Sequence, residues 1–261
     1  MTVDENFNDV ARVRTIALNG AEIGSLCIRA RAIYAEVARR QSANVHAYDR
    51  QMERDRSGIG AIDAGRADNA AAARVMDALA KEDARILKND MAVAALHKKC
   101  IGLLERILVL DDEVIEAYRE LVEYGPLDID KCRKDLEKYE SKLAKAISDV
   151  PEMKARLKKA KESGDAEKIA MARRWLKYAK RRVPSVRRCI KPCRRSLDSA
   201  EKTLEDNRLA LEREISTREE TAAMLERAKK NLENTENDIA DDEARIRRSQ
   251  EMAARLRGNG V

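Results

Sequence analysis

From Ile169 to Ile246, every seventh residue but one is a large aliphatic. The positions are Ile169, Leu176, Val183, Ile190, Leu197, Leu204, Leu211, Arg218, Leu225, Leu232, Ile239 and Ile246. Companion positions three residues on begin with Ala172, Ala179, Val186, Cys193 and Ala200, all small or apolar. A strict seven-residue repeat holds one narrow stripe against a partner helix, the pattern of a coiled coil. The ladder passes Pro184 and Pro192 without losing phase. Proline kinks or ends a helix, so unbroken phase predicts one long kinked helix rather than two domains. Arg218 is either a register-setting polar residue or a sign that the stripe shifts locally through Ile215 and Ala222; the shift is the favoured reading.

Two further ladders precede this one. Leu79, Ile86, Val93, Cys100, Ile107, Val114 and Leu121 form the first, with Leu96, Leu103, Leu110 and Ala117 beside them. Ile129, Leu136, Leu143, Val150 and Leu157 form the second, with Tyr139, Ala146, Met153 and Ala160. They are one residue out of phase across Gly125-Pro126, which marks either a kink between collinear segments or a complete turn. Pro151 leaves the phase undisturbed. Near the N-terminus, Ile16, Ile23, Ala30 and Val37 fall seven apart, with Leu26 and Ile33 as companions.

Two segments read as chain reversals. Ser163-Gly164-Asp165 has turn composition, with Gly for unusual backbone angles and Asp to cap the following helix. The stretch from Ser57 to Gly65 is the other loop. The expected organisation is a single elongated all-α domain: helix 8–55, a long helix 68–163 kinked at 125–126, and a long helix 166–256 kinked at 184 and 192. Folding back at both reversals gives an antiparallel coiled coil with a three-helix base and a projecting two-helix arm, whose tip is the Ser163 turn.

Composition agrees with long helices. Charged residues are 38% of the 261 and aromatics only 3%, too few rings for an ordinary globular core. No apolar run is long enough to span a bilayer, and the residues after Met1 lack the apolar stretch of a secretion signal. An odd set of scattered cysteines, Cys27, Cys100, Cys132, Cys189 and Cys193, suits reduced thiols in a cytosolic protein.

Charge is distributed unevenly. Residues 153–197 hold seventeen Lys/Arg against three acids, Glu162, Asp165 and Glu167, a local excess of fourteen positive charges. Because the whole chain carries +6, the remainder is net −8. The cations are Lys154, Arg156, Lys158, Lys159 and Lys161 before the turn. After it come Lys168, Arg173, Arg174, Lys177, Lys180, Arg181, Arg182, Arg187, Arg188, Lys191, Arg194 and Arg195. A solvated face usually mixes both signs. Like charges three or four residues apart destabilise a helix by a few tenths of a kcal/mol per pair, a cost that a bound polyanion relieves. Anionic lipid offers about 1 kcal/mol per nearby cation, and nucleic acid phosphates act similarly with strong salt dependence. Trp175 and Tyr178 lie inside the cluster; they either meet bases or a lipid interface or, as favoured, complete the packing beside Leu176 and Ala179.

Other constellations point to structure. His97 and Cys100, and Cys189 and Cys193, have spacings that place two ligands on one helix face, but Cys100 and Cys193 occupy ladder positions that want a small apolar side chain. His46 stands alone. No Gly-rich phosphate loop follows a strand and the two histidines leave few nucleophile–base pairs, so we expect no metal, no cofactor and no catalysis. Phe7, Val10, Val13 and Leu18 form either an amphipathic insertion helix or, as favoured given Asp4, Glu5 and Asp9, part of the core.

This layout resembles the BAR domain, a family with one shorter and two long kinked helices. The resemblance rests on the base–arm division, the kink sites at Gly125-Pro126, Pro184 and Pro192, and the basic tip around Ser163-Gly164-Asp165. It also rests on the basic run from Asp130 to Tyr139. It implies a homodimer whose cationic arms, residues 154 to 195, meet an anionic membrane. The layout is similar, more distantly, to the PspA and ESCRT-III group of basic helical hairpins, where the hairpin lies near the N-terminus. The expected function is a non-enzymatic, cytoplasmic scaffold, peripheral at anionic membranes, that senses or shapes curvature. The alternatives are a nucleic-acid-binding coiled coil, and a structural spacer or filament subunit contacting an acidic protein.

Overall fold

The computed structural model describes residues 3–63 and 68–258. Three helices follow one another: α1 (Val3–Asp63), α2 (Asn69–Glu162) and α3 (Ala166–Gly258). No strand occurs among the described residues. The fold is all-α, as the heptad ladders predict.

Gly125-Pro126 is not a turn. α2 runs through it and through Pro151, and α3 runs through Pro184 and Pro192. Each proline lacks the N–H that would bond the carbonyl four residues back, here those of Val122, Ile147, Lys180 and Arg188. All four prolines are exposed, so water can reach the released carbonyls. The segment read as a loop from Ser57 differs too: α1 remains helical to Asp63, and 64–67 lie outside the described residues. Gly58 and Gly60 each weaken a helix by roughly 1 kcal/mol, which a preceding run of more than fifty helical residues tolerates. α2 then starts on a cap, with Ala71 N donating to Asp68 Oδ1 at 2.6 Å.

The chain divides into two compact units. The three-helix unit comprises Arg14–Val114 and Glu214–Val261. Its core gathers Leu26, Ala30, Ile33 and Val37 of α1, Val93, Cys100, Leu104, Ile107 and Leu110 of α2, and Leu225 and Ala228 of α3. The central ladder from Leu79 to Val114 is buried at every rung. Arg218 bonds Asp112 through both Nε and Nη2, the second contact at 3.3 Å. Ile215 and Ala222 are half-buried, as Arg218 itself is, while Thr221 and the next rung Leu225 are buried. The expected shift through Ile215 and Ala222 is not seen, and the ladder keeps its phase with Arg218 fixed by an acid at its edge.

The hairpin unit comprises Ile115–Arg213 with the described residues of Met1–Val13. Two helices cover less of each other than three do. Ala146, Ala179, Ile190 and Leu204 are its buried apolar residues beyond residue 117, while the rungs Ile129, Leu136, Leu143, Val150 and Leu157 are half-buried. At Gly125 the helices approach closely: a Cβ there would meet Leu204 Cδ1 at 2.6 Å. The start of α1 does not pack as expected. Val10, Val13 and Leu18 are exposed, because the inward line is Arg12, Asn19, Leu26 and Ile33. Arg12 is bound to Glu120 and lies 4.7 Å over the Tyr124 ring. The side chain of Phe7 lies outside the described residues.

The reversal at 163–165 is built as its composition predicts. Ser163 N and Gly164 N donate to the carbonyls of Lys159 and Lys161, closing α2. Gly164 takes φ 68°, the left-handed region that a Cβ disfavours. Asp165 Oδ1 accepts the backbone N–H groups of Glu167 and Lys168, both at 3.1 Å. These bonds and the Lys168 ammonium hold its carboxyl below the ordinary range, the side-chain bond to Lys168 first. We predict that Gly164→Ala lowers stability by about 1 kcal/mol through backbone strain alone, since open space surrounds the new methyl. Urea unfolding followed by circular dichroism measures this; an unchanged midpoint would refute it.

Candidate functional site

The cation cluster lies within the hairpin unit, on both helices around the turn. Sixteen of its seventeen members are exposed, and Arg182 is half-buried. Four are held by acids: Arg156 by Glu152 at 2.7 Å, Lys168 by Asp165 at 2.8 Å, Arg182 by Asp149 at 3.2 Å and Arg194 by Glu140 at 2.8 Å. The other thirteen have no acid partner among the described residues. The reason is supply: acids are nearly absent from 153–197, and those available sit at the turn or further down α2. The narrow seam of a two-helix pairing leaves most of each helix surface in water, so these cations point outward on several faces.

Trp175 and Tyr178 do not complete the packing. They are 56% and 60% exposed, and Met171 is 60% exposed. Spacings of four and seven residues put all three on one stripe of α3, beside the buried Ala179 rather than over it. The two rings touch edge to face, with centroids 6.2 Å apart and planes at 90°.

The chemistry-bearing residues elsewhere serve the interior. Cys100 is buried in the three-helix core, and burial pushes its thiol up while the Tyr34 hydroxyl beside it acts the other way. His97 is buried with neither ring nitrogen hydrogen-bonded among the described residues, and desolvation lowers its pKa. Cys189 Sγ donates to the Ser185 carbonyl at 3.7 Å. Cys132 and Cys193 line an open groove between α2 and α3 of the hairpin unit, with Gly125, Asp128, Pro192 and Arg195. Among the described residues no three His, Cys, Asp or Glu side chains gather as metal ligands.

The three-helix unit carries a feature that the apolar repeats do not reveal. On α2, four residues after each rung, stand Asp83, Asp90, His97, Leu104 and Asp111, seven apart and all buried. The N-terminal ladder continues past Val37 as Asn44 and Gln51, also buried. The companion line of α3 continues as Thr221, Ala228, Thr235 and Asp242. These lines meet as polar layers. Gln51 Nε2 donates to Asp83 Oδ1 at 2.7 Å, and Asn44 Nδ2 donates to Asp90. Tyr48 Oη and Arg245 both donate to Asp242. Burial first, then the charge of Asp242, pushes the Asp90 carboxyl up. Asp242 is raised as well, by burial. Asp111 reaches about 6, through burial and the nearby Glu214 and Asp112. The neighbouring Thr221 hydroxyl donates to the Thr217 carbonyl, and among the described residues neither Asp111 oxygen has a well-formed hydrogen bond.

No protein-family model matches the chain, and no curated protein matches it. Among solved structures it is similar to the SmhB pore of the tripartite alpha-pore-forming toxin Smh from Serratia marcescens. Identity is 12% over 99% of this chain and 83% of that one, with a TM-score of 0.49. It is also similar to a coiled-coil segment of Pyrococcus yayanosii Smc, at 15% identity over 92% of this chain and 95% of that one, with a TM-score of 0.28. Among the described residues no helix is long and apolar enough to cross a membrane.

Proposed function

We propose that this protein is a non-enzymatic scaffold that docks on anionic membrane surfaces through its cationic hairpin. The observation that carries the reading is the set of thirteen exposed Lys and Arg without acid partners, concentrated between residues 154 and 195. Their mutual repulsion is unrelieved within the unit, and a surface of phosphate and carboxylate headgroups relieves it. Each cation near such a surface contributes about 1 kcal/mol, so even half of them engaged would hold the protein firmly. In its BAR-like form, the reading has two copies pairing and presenting their hairpins to a curved, cytoplasmic bilayer face.

Cosedimentation with vesicles tests this. We expect pelleting with phosphatidylserine-containing vesicles, none with purely phosphatidylcholine vesicles, and release as the Debye length contracts from ~10 Å at 0.1 M salt to ~3 Å at 1 M. Equal pelleting with both compositions would remove electrostatic docking. Stronger retention on DNA or RNA than on acidic vesicles at matched salt would favour nucleic acid as the polyanion.

A further inference from the structure

We propose that Met171, Trp175 and Tyr178 form an interfacial anchor that settles into the headgroup layer of an anionic bilayer and sets which flank of the hairpin faces the membrane. This rests on the docking reading above and adds to it a second, non-electrostatic contact. Trp175 is the chain's single tryptophan, and it stands more than half exposed between two exposed apolar neighbours on one helical stripe. A ring with an apolar body and a polar N–H or O–H suits the boundary between headgroups and acyl chains. Arg174 and Arg181 flank the stripe on the outer face of α3, and Lys168 lies one turn before Met171. Glu167 stands at the end of the stripe nearest the turn. Of the acids at the turn and on the facing helix, Asp149 is bound by Arg182, Glu152 by Arg156 and Asp165 by Lys168, while Glu162 stands exposed at the turn. Past that first turn of α3 the rim is cationic around an apolar centre, the combination by which amphipathic helices bind anionic lipid.

The same geometry disfavours nucleic acid at this spot. Stacking of successive bases uses exposed, roughly parallel ring faces. Here the rings stand at 90°, so the edge of one ring abuts the face of the other. Met171 extends the stripe with a thioether, which offers nothing to a base edge and packs well against acyl carbons.

The single tryptophan makes the test direct. On adding phosphatidylserine-containing vesicles to the full chain, we expect a blue shift of its emission, loss of quenching by aqueous iodide, and quenching by shallow lipid-attached nitroxides. Trp175→Ser combined with Tyr178→Ser is expected to leave the helical signal and melting midpoint unchanged. It should weaken vesicle affinity by about tenfold while leaving the salt dependence intact. Vesicle pelleting with unshifted emission would overturn the anchor and leave electrostatic docking standing. Absence of pelleting would overturn both. Quenching by single-stranded oligonucleotide without a vesicle-induced shift would reassign the stripe to base stacking.

Discussion

Reversing the charge of Arg173, Arg174, Arg181 and Arg188 to glutamate should abolish binding to acidic vesicles while leaving the protein as stable as before. Each reversal removes two positive charges, so the excess of fourteen over residues 153–197 falls to six. Losing four cations at about 1 kcal/mol each lowers affinity by roughly a thousandfold before the new repulsion counts. The fold should not suffer, because all four side chains are exposed and none holds an acid partner among the described residues. Lys177 lies four residues from both Arg173 and Arg181. The substitutions Arg173→Glu and Arg181→Glu therefore turn two like-charge pairs into opposite-charge pairs, each stabilising α3 by a few tenths of a kcal/mol. Vesicle cosedimentation and thermal melting of the same preparation read both halves. A variant that still pellets with acidic lipid would show that the hairpin is not the docking surface.

The parts of this molecule that the sequence displayed are those where apolar spacing and packing coincide. The rungs from Leu79 to Val114 are all buried, because three helices close around them. The rungs from Ile129 to Leu157 have the same spacing yet stay half-buried, since a single partner helix covers a narrower stripe. That narrowness also explains Trp175 and Tyr178: with no third helix over the flank of α3, large apolar residues there remain in water. Ser163-Gly164-Asp165 was legible because each residue has a local task, as bond donor, left-handed backbone and cap. Gly58 and Gly60 misled because isolated glycines weaken a helix without ending it. The polar seam was hidden for a different reason. Asp, Asn and Gln are surface residues by default, so the apolar repeat stops at Val37 or Ala200 although its spacing continues through Asn44, Gln51, Thr221 and Asp242. The seam also has a use that apolar rungs lack. A pure heptad repeat is unchanged by a seven-residue slip, whereas here a slip would set Val37 against Asp90 in place of Asn44 and leave a buried carboxylate unpaired. Matched polar layers of this kind specify register at a cost in stability.

That cost is measurable at Asp111. Its folded pKa of about 6 lies above its ordinary value of 3.8, so the folded protein holds a proton that the unfolded chain releases. Its stabilising effect is fully present below pH ~4, is lost as pH rises through ~6, and changes no further above that; the shift corresponds to about 3 kcal/mol. Arg218, bonded to Asp112 through Nε and Nη2, offsets the charge only in part: its pull on the Asp111 pKa is smaller than the upward push of burial, Glu214 and Asp112. His97 acts in the opposite direction. Its pKa is lowered by burial, so its contribution is present above the ordinary histidine value and lost as pH falls. A difference experiment cancels it. Asp111→Asn keeps the size and polarity of the protonated acid and cannot ionise. The variant should therefore match the parent at pH 4 and exceed it by about 3 kcal/mol at pH 8, roughly 6–12 °C in Tm. Urea unfolding of both proteins at pH 4, 5, 6 and 8 gives the two curves. Parallel curves would mean that Asp111 is ionised and compensated throughout, and the seam would then carry no buried-charge penalty at this layer.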